Sequence, residues 1–115
     1  MICLRHFIAE DIPVLQSFYP ERTLKELQQM LHEWHQMKLG GRYFEMFAVC
    51  SEGKIVGEIS LYEYSKSTVG ICLAMDEPCP HSDDAAQAVK MAVCRAKENG
   101  FRFIIQQIRT DMIAI

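Results

Sequence analysis

Three consecutive strand-like runs, separated only by short polar turns, constrain the fold of this chain most strongly. The first run is YFEMFAVC and the second is IVGEISLYEY, with the turn SEGK between them. The third run, STVGICLAM, begins near Ser67 after another short polar turn. Apolar and β-branched residues bounded by turn residues are typical of strands, and connections this short join antiparallel neighbours. The centre of the chain is therefore predicted to be an antiparallel meander of three strands.

Helical patterns lie before the meander. A short strand over residues 2–7 precedes a short helix that ends near Tyr19. Thr23 and Glu26 have the spacing of a capping box, in which each residue satisfies a backbone N–H of the other. They begin a second helix that is predicted to end near Lys38, where two glycines follow.

A third helix and a further strand follow the meander. The segment from Asp83 to Asn99 has the apolar period of a helix, and Gly100 is placed to cap its C-terminus. The run FRFIIQQI predicts a fifth strand. The resulting order β-α-α-β-β-β-α-β, without repeats or linkers, predicts a single α+β domain over residues 1–115.

Charge and hydropathy exclude two classes of partner. The net charge is −3 with both signs scattered, so the chain has neither a basic patch for nucleic acid nor a basic amphipathic face for a membrane. A small molecule or another protein is the expected partner. The sequence has no charged leader and no run of about 18 apolar residues. It therefore predicts no signal peptide or membrane span, and hence a cytoplasmic protein.

The five cysteines have no spacing that marks a metal site or a disulfide framework. They form an odd set without CxxC, and four of them lie in apolar runs, where cysteine acts as a small hydrophobic residue. Reduced thiols are predicted, with Cys72 buried and Cys79 in a loop. A thiolate site or nucleophile built from Cys72, Cys79 and His81 is the alternative, but it lacks a recognisable orienting group.

Two histidines on the second helix are candidates for metal binding. His32 and His35 are three residues apart, whereas the HExxH zinc motif needs a separation of four, and no third ligand is visible. No metal site is predicted.

The order of elements and three motifs resemble the GNAT superfamily of N-acetyltransferases, over essentially the whole chain. ICLRHFIAEDIPVL resembles the first strand and helix of that family. FAVCSEGKIVGEISL resembles its second and third strands, and KENGFRFIIQQIRTD resembles the run before its last helix. The resemblance implies transfer of an acetyl group from acetyl-CoA to an amine.

The resemblance also implies where the cofactor binds. In such enzymes the fourth and fifth strands run parallel and separate, and their unpaired backbone groups bind the pantetheine arm of acetyl-CoA. Here that separation would lie between residues 70–75 and residues 103–108. The backbone contacts would come from Cys72, Leu73, Ala74 and Met75.

The loop that would bind the pyrophosphate departs from the family pattern. The resemblance implies that the amides of Asp84, Ala85 and Ala86 bind it, since a helix N-terminus has unsatisfied N–H donors. The usual pattern [RQ]-x-x-G-x-[GA] is replaced by PHSDDA over residues 80–85, where only Ala85 fits. Asp83 and Asp84 stabilise the first helical turn but repel a second anion there.

The C-terminal sequence is a second departure. RTDMIAI stands where the family has RTDNxAS, a further helix and two strands. The sequence therefore predicts a GNAT-like fold that lacks the last helix and two strands. No residue can be assigned as the general acid. An open fifth strand predicts a homodimer through this edge and the C-terminal tail, with Ile113 and Ile115 beside it.

A general base for the amine would be a carboxylate near the cofactor strand. Glu58 and Glu63 on the predicted third strand are the candidates. The alternative is that both lie on a solvated face of an antiparallel strand. Two functions follow from these patterns. One is an acetyl-CoA-dependent N-acetyltransferase, and the other is a non-catalytic member that keeps the fold as a dimerising or ligand-binding module.

Overall fold

The computed structural model describes residues 2–75 and 82–108 of the chain. Its helices are a 3-10 turn η1 (Ala9–Asp11), α1 (Ile12–Phe18), α2 (Leu24–His35) and α3 (Ser82–Glu98). Its strands are β1 (Ile2–His6), β2 (Lys38–Leu39), β3 (Arg42–Ser51), β4 (Lys54–Glu63), β5 (Thr68–Met75) and β6 (Phe103–Ile108). The five predicted strands correspond to β1, β3, β4, β5 and β6.

The strands form one mixed sheet in the order β1-β3-β4-β5-β6. The pairs β1–β3, β3–β4 and β4–β5 are antiparallel. The pair β5–β6 is parallel, with α3 as the connection between the two strands. The predicted α+β class, element order and mixed sheet are confirmed.

The second helix ends earlier than predicted. α2 ends at His35, and β2 follows it and pairs with the start of β3. The turn between these strands consists of Gly40 and Gly41, with φ values of 60° and 80°. Two residues with positive φ form the turn type that matches the twist of a hairpin. The glycines therefore form a hairpin turn, not the helix stop that the pattern predicted.

Helices cover both faces of the sheet and bury two apolar clusters. α3 packs against β1, β4 and β5 on one face, which we call the α3 face. α1 and α2 cover the other face, which we call the α1 face, and α2 packs against β3. The buried core of the α1 face comprises Phe7, Leu15, Leu27, Leu31, Ala48 and Cys50. Leu24 follows the apolar period of α2, but its side chain is exposed at the first turn of the helix.

Small side chains allow α3 to lie close to the sheet. Ala88, Ala92 and Ala96 are fully buried and repeat every four residues, so they form one stripe on the helix. They pack against core residues of the sheet that include Ile59, Leu61, Val69 and Ile71. This stripe holds α3 across the strands that it connects.

Two glycines lie where other residues approach the backbone closely. The ring of Tyr62 covers Gly70, where a Cβ atom would lie 2.0 Å from the Tyr62 Cζ. Gly70 therefore leaves room for this ring. A β-bulge lies elsewhere, between Val49 and Cys50 in β3.

Gly57 lies opposite Met75, at the end of β5. A Cβ at this position would lie 2.7 Å from the Ala74 carbonyl oxygen and 3.0 Å from the Met75 Cα. Backbone atoms cannot move aside as a flexible side chain does. Gly57 is therefore required for the spacing of β4 and β5 at this end of the sheet.

In the part of the chain that the structure describes, no helix is both long and apolar enough to cross a membrane.

Substitution Gly57→Ala should destabilise the fold, because the new methyl group forces the end of β5 away from β4. We expect a loss of about 1–3 kcal/mol in the free energy of unfolding, as is usual for overpacking. Urea unfolding monitored by circular dichroism measures it. Lys54→Ala on the same strand is the control, since Lys54 is exposed. A change within about 0.5 kcal/mol of wild type for Gly57→Ala, as is usual for surface substitutions, would contradict this account.

Candidate functional site

A buried carboxylate lies on the α1 face of β4. Glu58 is only 6% exposed. The Tyr19 hydroxyl, at the end of α1, donates a hydrogen bond of 2.6 Å to Glu58 Oε1. The expectation that Glu58 belongs to a solvated strand face is therefore wrong, because α1 and its following residue cover this part of the sheet.

The register of β4 and β5 brings Glu58 beside the predicted cofactor strand. Glu58 is paired with Ala74, and Ser60 is paired with Cys72. Directly opposed residues of antiparallel strands have their Cβ atoms about 4.5–5.5 Å apart on the same face. We call Tyr19, Glu58, Ser60, Cys72 and Ala74 the candidate site. Its polar groups are the phenol of Tyr19, the carboxylate of Glu58, the hydroxyl of Ser60 and the thiol of Cys72.

Glu63 has a different environment from Glu58. Its Oε1 accepts a hydrogen bond from the Tyr43 backbone N–H at 3.2 Å. It also differs from Glu58 by an odd number of positions along β4, so its side chain leaves the opposite face of the strand. The structure brings only one of the two predicted carboxylates into the candidate site.

The separation of β5 from β6 does not begin where the resemblance implied. The parallel pairing continues from Thr68 opposite Phe103 to Leu73 opposite Ile108. Within this ladder, Cys72 and Leu73 are paired to a neighbouring strand on both sides. The expected separation over residues 70–73 is therefore wrong. For Ala74 and Met75, the next residues of β5, any partners beyond Ile108 lie outside the described residues.

The first turn of α3 is acidic. Asp83 and Asp84 both lie in it. Ala85 is half-buried against the core of the α3 face, whereas Ala86 is exposed. The preceding part of the predicted phosphate loop, including Pro80, lies outside the described residues. Carboxylates in a first turn stabilise the helix and compete there with any other anion.

The other candidate chemistry of the sequence is dispersed. His35 Nε2 lies 2.6 Å from the Phe7 carbonyl oxygen, and His32 Nε2 lies 3.2 Å from Gln36 Nε2. Among the described residues, no group of three or more possible ligands could hold a metal ion. Cys72 is half-buried, whereas a buried position was predicted. Cys79 and His81 lie outside the described residues.

Sequence reasoning missed a second buried carboxylate, on the α3 face. Glu45 in β3 is fully buried, and Arg95 from α3 binds it through two hydrogen bonds of 3.0 Å each. His6 Nε2 lies 2.6 Å from Glu45 Oε2, and the Tyr43 hydroxyl donates to Glu45 Oε1. We call these residues the Glu45 cluster. Asn99 extends it by donating to the Tyr43 hydroxyl at 3.1 Å.

The Glu45 cluster keeps its carboxylate ionised. Burial raises the pKa of Glu45, but the hydrogen bonds from Arg95, Tyr43 and His6 together outweigh burial and hold it below its usual value of 4.5. Burial, the largest cause, and the hydrogen bond to Glu45 raise the pKa of Tyr43, whereas Arg95 acts in the opposite direction. Every donor of the cluster thus favours a negative charge at Glu45. In the alternating pattern of β3, Glu45 lies on the same face as apolar residues. This position is the sequence signal that could have indicated a buried carboxylate.

Comparisons with known proteins identify the fold. No family model and no curated protein matches the sequence. Among solved structures, an acetyltransferase from Salmonella typhimurium that modifies the N-terminal serine of ribosomal protein L7/L12 has a TM-score of 0.72 and 15% identity. A spermidine N-acetyltransferase from Vibrio cholerae, in complex with CoA and spermine, has a TM-score of 0.66 and 12% identity. A transcriptional regulator from Bacillus halodurans has a TM-score of 0.66 and 15% identity.

These likenesses cover most of this chain but less of the others. The alignment covers 90% of this chain and 69% of the Salmonella protein. It covers 83% of this chain and 63% of the Vibrio protein. For the Bacillus protein the shares are 96% and 84%. The chain has the GNAT N-acetyltransferase fold, as the resemblance of its sequence implied.

Substitution Glu45→Gln should weaken the fold and flatten its response to acid. Because the folded-state pKa of Glu45 is lowered, its stabilisation is present above pH 4.5 and is lost as the pH falls through the lowered value. Near neutral pH, we expect the free energy of unfolding of the variant to be about 1–3 kcal/mol lower than that of wild type. On acidification, the free energy of unfolding should fall less for the variant than for wild type. Urea unfolding at a series of pH values measures both effects.

Glu98→Gln is the matched control for this test. Glu98 is exposed and lies 3.8 Å from the same Arg95 guanidinium. An exposed pair of this kind contributes about 0–1 kcal/mol. If Glu45→Gln were as stable as Glu98→Gln at all pH values, the role assigned to the Glu45 cluster would be wrong.

Proposed function

We propose that this chain is a GNAT-type N-acetyltransferase that transfers an acetyl group from acetyl-CoA to an amine. One observation carries the proposal. Glu58, buried and hydrogen-bonded by Tyr19, lies opposite Ala74 in β5, the strand to which the resemblance assigns the cofactor. A general base must lie within reach of the amine while the acyl donor lies beside it. The likeness of the fold to two N-acetyltransferases supports the same proposal.

In this proposal each residue of the candidate site has a defined task. Acetyl-CoA, when bound, supplies the activated acyl group as a thioester. The backbone groups of Ala74 and Met75 bind the pantetheine arm, as the resemblance implies. Glu58 accepts the proton that the amine loses as it attacks. Tyr19 is a positioning residue that orients the Glu58 carboxylate.

The start of α3 is where the described residues test the fit of this cofactor. The resemblance assigns the amides of Asp84, Ala85 and Ala86 to the phosphate. In a helix that begins at Ser82, Asp84 is the last residue whose N–H has no partner within the helix, and the carboxylates of Asp83 and Asp84 oppose an anion there. The proposed contact with the pyrophosphate is therefore made by backbone donors at an electrostatic cost. Cys72 and Leu73 contribute packing and not free backbone groups.

The acidic first turn of α3 also favours a second candidate function. A chain that keeps this fold but repels a pyrophosphate would be a non-catalytic dimerising or ligand-binding module. Function resides in the site and not in the scaffold. The two candidates differ in whether the protein turns over acetyl-CoA in the presence of an amine.

Substitution Glu58→Gln should abolish most acetyl transfer without unfolding the protein. We expect kcat to fall about 10²–10⁴-fold, as is usual when a general base is lost. Acetylated product is measured by mass spectrometry with a polyamine, an aminoglycoside and a peptide with a free N-terminal serine or alanine. Acetyltransferases with the same fold act on acceptors of these kinds. Glu63→Gln is the matched control, since Glu63 lies on the same strand but bonds to the Tyr43 backbone.

Two results would contradict the enzyme proposal. The first is an absence of transfer to every acceptor by the folded wild-type protein, which would favour the non-catalytic module. The second is equal loss of activity in Glu58→Gln and Glu63→Gln, which would show that Glu58 has no special role.

We also propose that the chain forms a homodimer through the edge of β6. In the described part of the sheet, β6 is an edge strand, and Phe103, Ile104 and Ile105 are exposed on it. An apolar edge tends to pair with another strand. The C-terminal tail, which was expected to contribute to this interface, lies outside the described residues.

Substitution Ile105→Lys should dissociate this dimer, because a charge on an edge strand opposes pairing with a second copy. Gel filtration with light scattering at micromolar concentration should give a dimer for wild type and a monomer for the variant. Lys97→Glu on the exposed side of α3 is the control and should remain dimeric. A monomeric wild-type protein would contradict the proposal.

A further inference from the structure

A pair of cysteines faces each other across two neighbouring strands. Cys3 in β1 is the register partner of Cys50 in β3. Both residues also line the same surface pocket. Their side chains therefore lie side by side on one face of the sheet, although the residues are far apart in the sequence.

The geometry of an antiparallel pair allows a disulfide at this position. Directly opposed residues have Cα atoms about 4.5 or 5.5 Å apart, depending on their place in the ladder. Both separations fall within the range of about 4.4–6.8 Å that a disulfide spans. The pair can therefore be linked without moving either strand far.

The surroundings give the pair access and a positive charge. An open pocket of about 350 Å³ is lined by Cys3, Cys50, Arg5, Ile2, Glu52 and Gly53. The Arg5 guanidinium lines the same pocket as the Cys50 thiol, and its charge acts to lower the pKa of that thiol. Arg5 is itself held by Asp11 through two hydrogen bonds, of 2.7 and 2.9 Å. A small oxidant can enter the pocket and meet a thiol beside a fixed cation.

The two thiols differ in exposure, which separates their roles. Cys3 is exposed, whereas Cys50 is buried. Burial is the largest cause of a raised pKa at Cys50, and Arg5 acts in the opposite direction. The thiolate is the nucleophile in thiol chemistry. The exposed Cys3 is thus the thiol that meets an oxidant first, and the buried Cys50 reacts second.

We propose that Cys3 and Cys50 form a redox site at which a hydroperoxide produces a reversible disulfide between β1 and β3. The Cys3 sulfur attacks the peroxide, so that an S–O bond forms, the O–O bond breaks and the leaving oxygen takes the Cys3 thiol proton. The Cys50 sulfur then attacks the Cys3 sulfenic acid. An S–S bond forms, the S–O bond breaks, and the departing hydroxide takes the Cys50 proton as water. Two thiols are oxidised and one peroxide is reduced.

Hydrogen peroxide is the probe for the test. The reduced full chain, and a variant with Cys72, Cys79 and Cys94 changed to Ser, are treated with peroxide and analysed as intact proteins and as non-reduced peptides. Both should lose two hydrogen atoms, contain a peptide that links Cys3 to Cys50, and recover with dithiothreitol. The link should raise the melting temperature, since a cross-link restricts the unfolded chain.

Single substitutions make the test specific. Cys3→Ser, at an exposed position, should remove the link and leave Cys50 unmodified, whereas Cys94→Ser should retain the link. Cys50→Ala should leave Cys3 open to further oxidation. The proposal is overturned if wild-type Cys3 is oxidised to a sulfinic acid while Cys50 stays a free thiol. It is equally overturned if the only links formed join two chains.

Discussion

The packing of α3 on the sheet is the constraint on which the rest of the structure depends. A parallel pair such as β5–β6 needs a connection that crosses the sheet, and α3 provides it. The stripe of Ala88, Ala92 and Ala96 lets the helix cross at close range. The parallel pair β5–β6 therefore depends on the packing of α3.

Each face of the sheet contains a buried carboxylate, and the two carboxylates have different surroundings. On the α3 face, Arg95 reaches Glu45 from the helix and so fixes α3 to β3 by a charge-assisted pair of hydrogen bonds. On the α1 face, Tyr19 bonds to Glu58 from the end of a short helix. A buried carboxylate is costly unless donors satisfy it. Donors from several residues bind the Glu45 carboxylate, which has a structural role. Glu58 instead lies opposite Ala74 in β5.

The elements that local patterns define could be predicted from the sequence. The strand alternation of the meander, the Thr23–Glu26 capping box and the buried face of α3 all depend on neighbours a few residues apart. The contacts that complete the candidate site depend on tertiary structure. Tyr19 and Glu58 are 39 residues apart, and so are His6 and Glu45. The strand register that pairs Cys3 with Cys50 likewise cannot be predicted from the local spacing of cysteines.

The predictions that failed were based on local sequence patterns, and tertiary structure determined the observed conformation instead. Leu24 follows the apolar period of α2 but lies in its first turn, where the sheet does not cover it. Gly40 and Gly41 stop a helix in the local pattern, yet they form a hairpin turn because β2 pairs with β3. The ladder of β5 and β6 continues to Leu73 because nothing in the described strands interrupts it.

The most direct test of the central claim is a thermal-shift titration of the folded chain with acetyl-CoA. A ligand that binds only the native state raises the melting temperature with concentration. The account predicts such a rise for wild type and its loss in Ala86→Trp, because a bulky side chain at this exposed position near the start of α3 would block the phosphate contact. A melting temperature that stays constant up to millimolar acetyl-CoA would contradict the claim that this fold binds the cofactor.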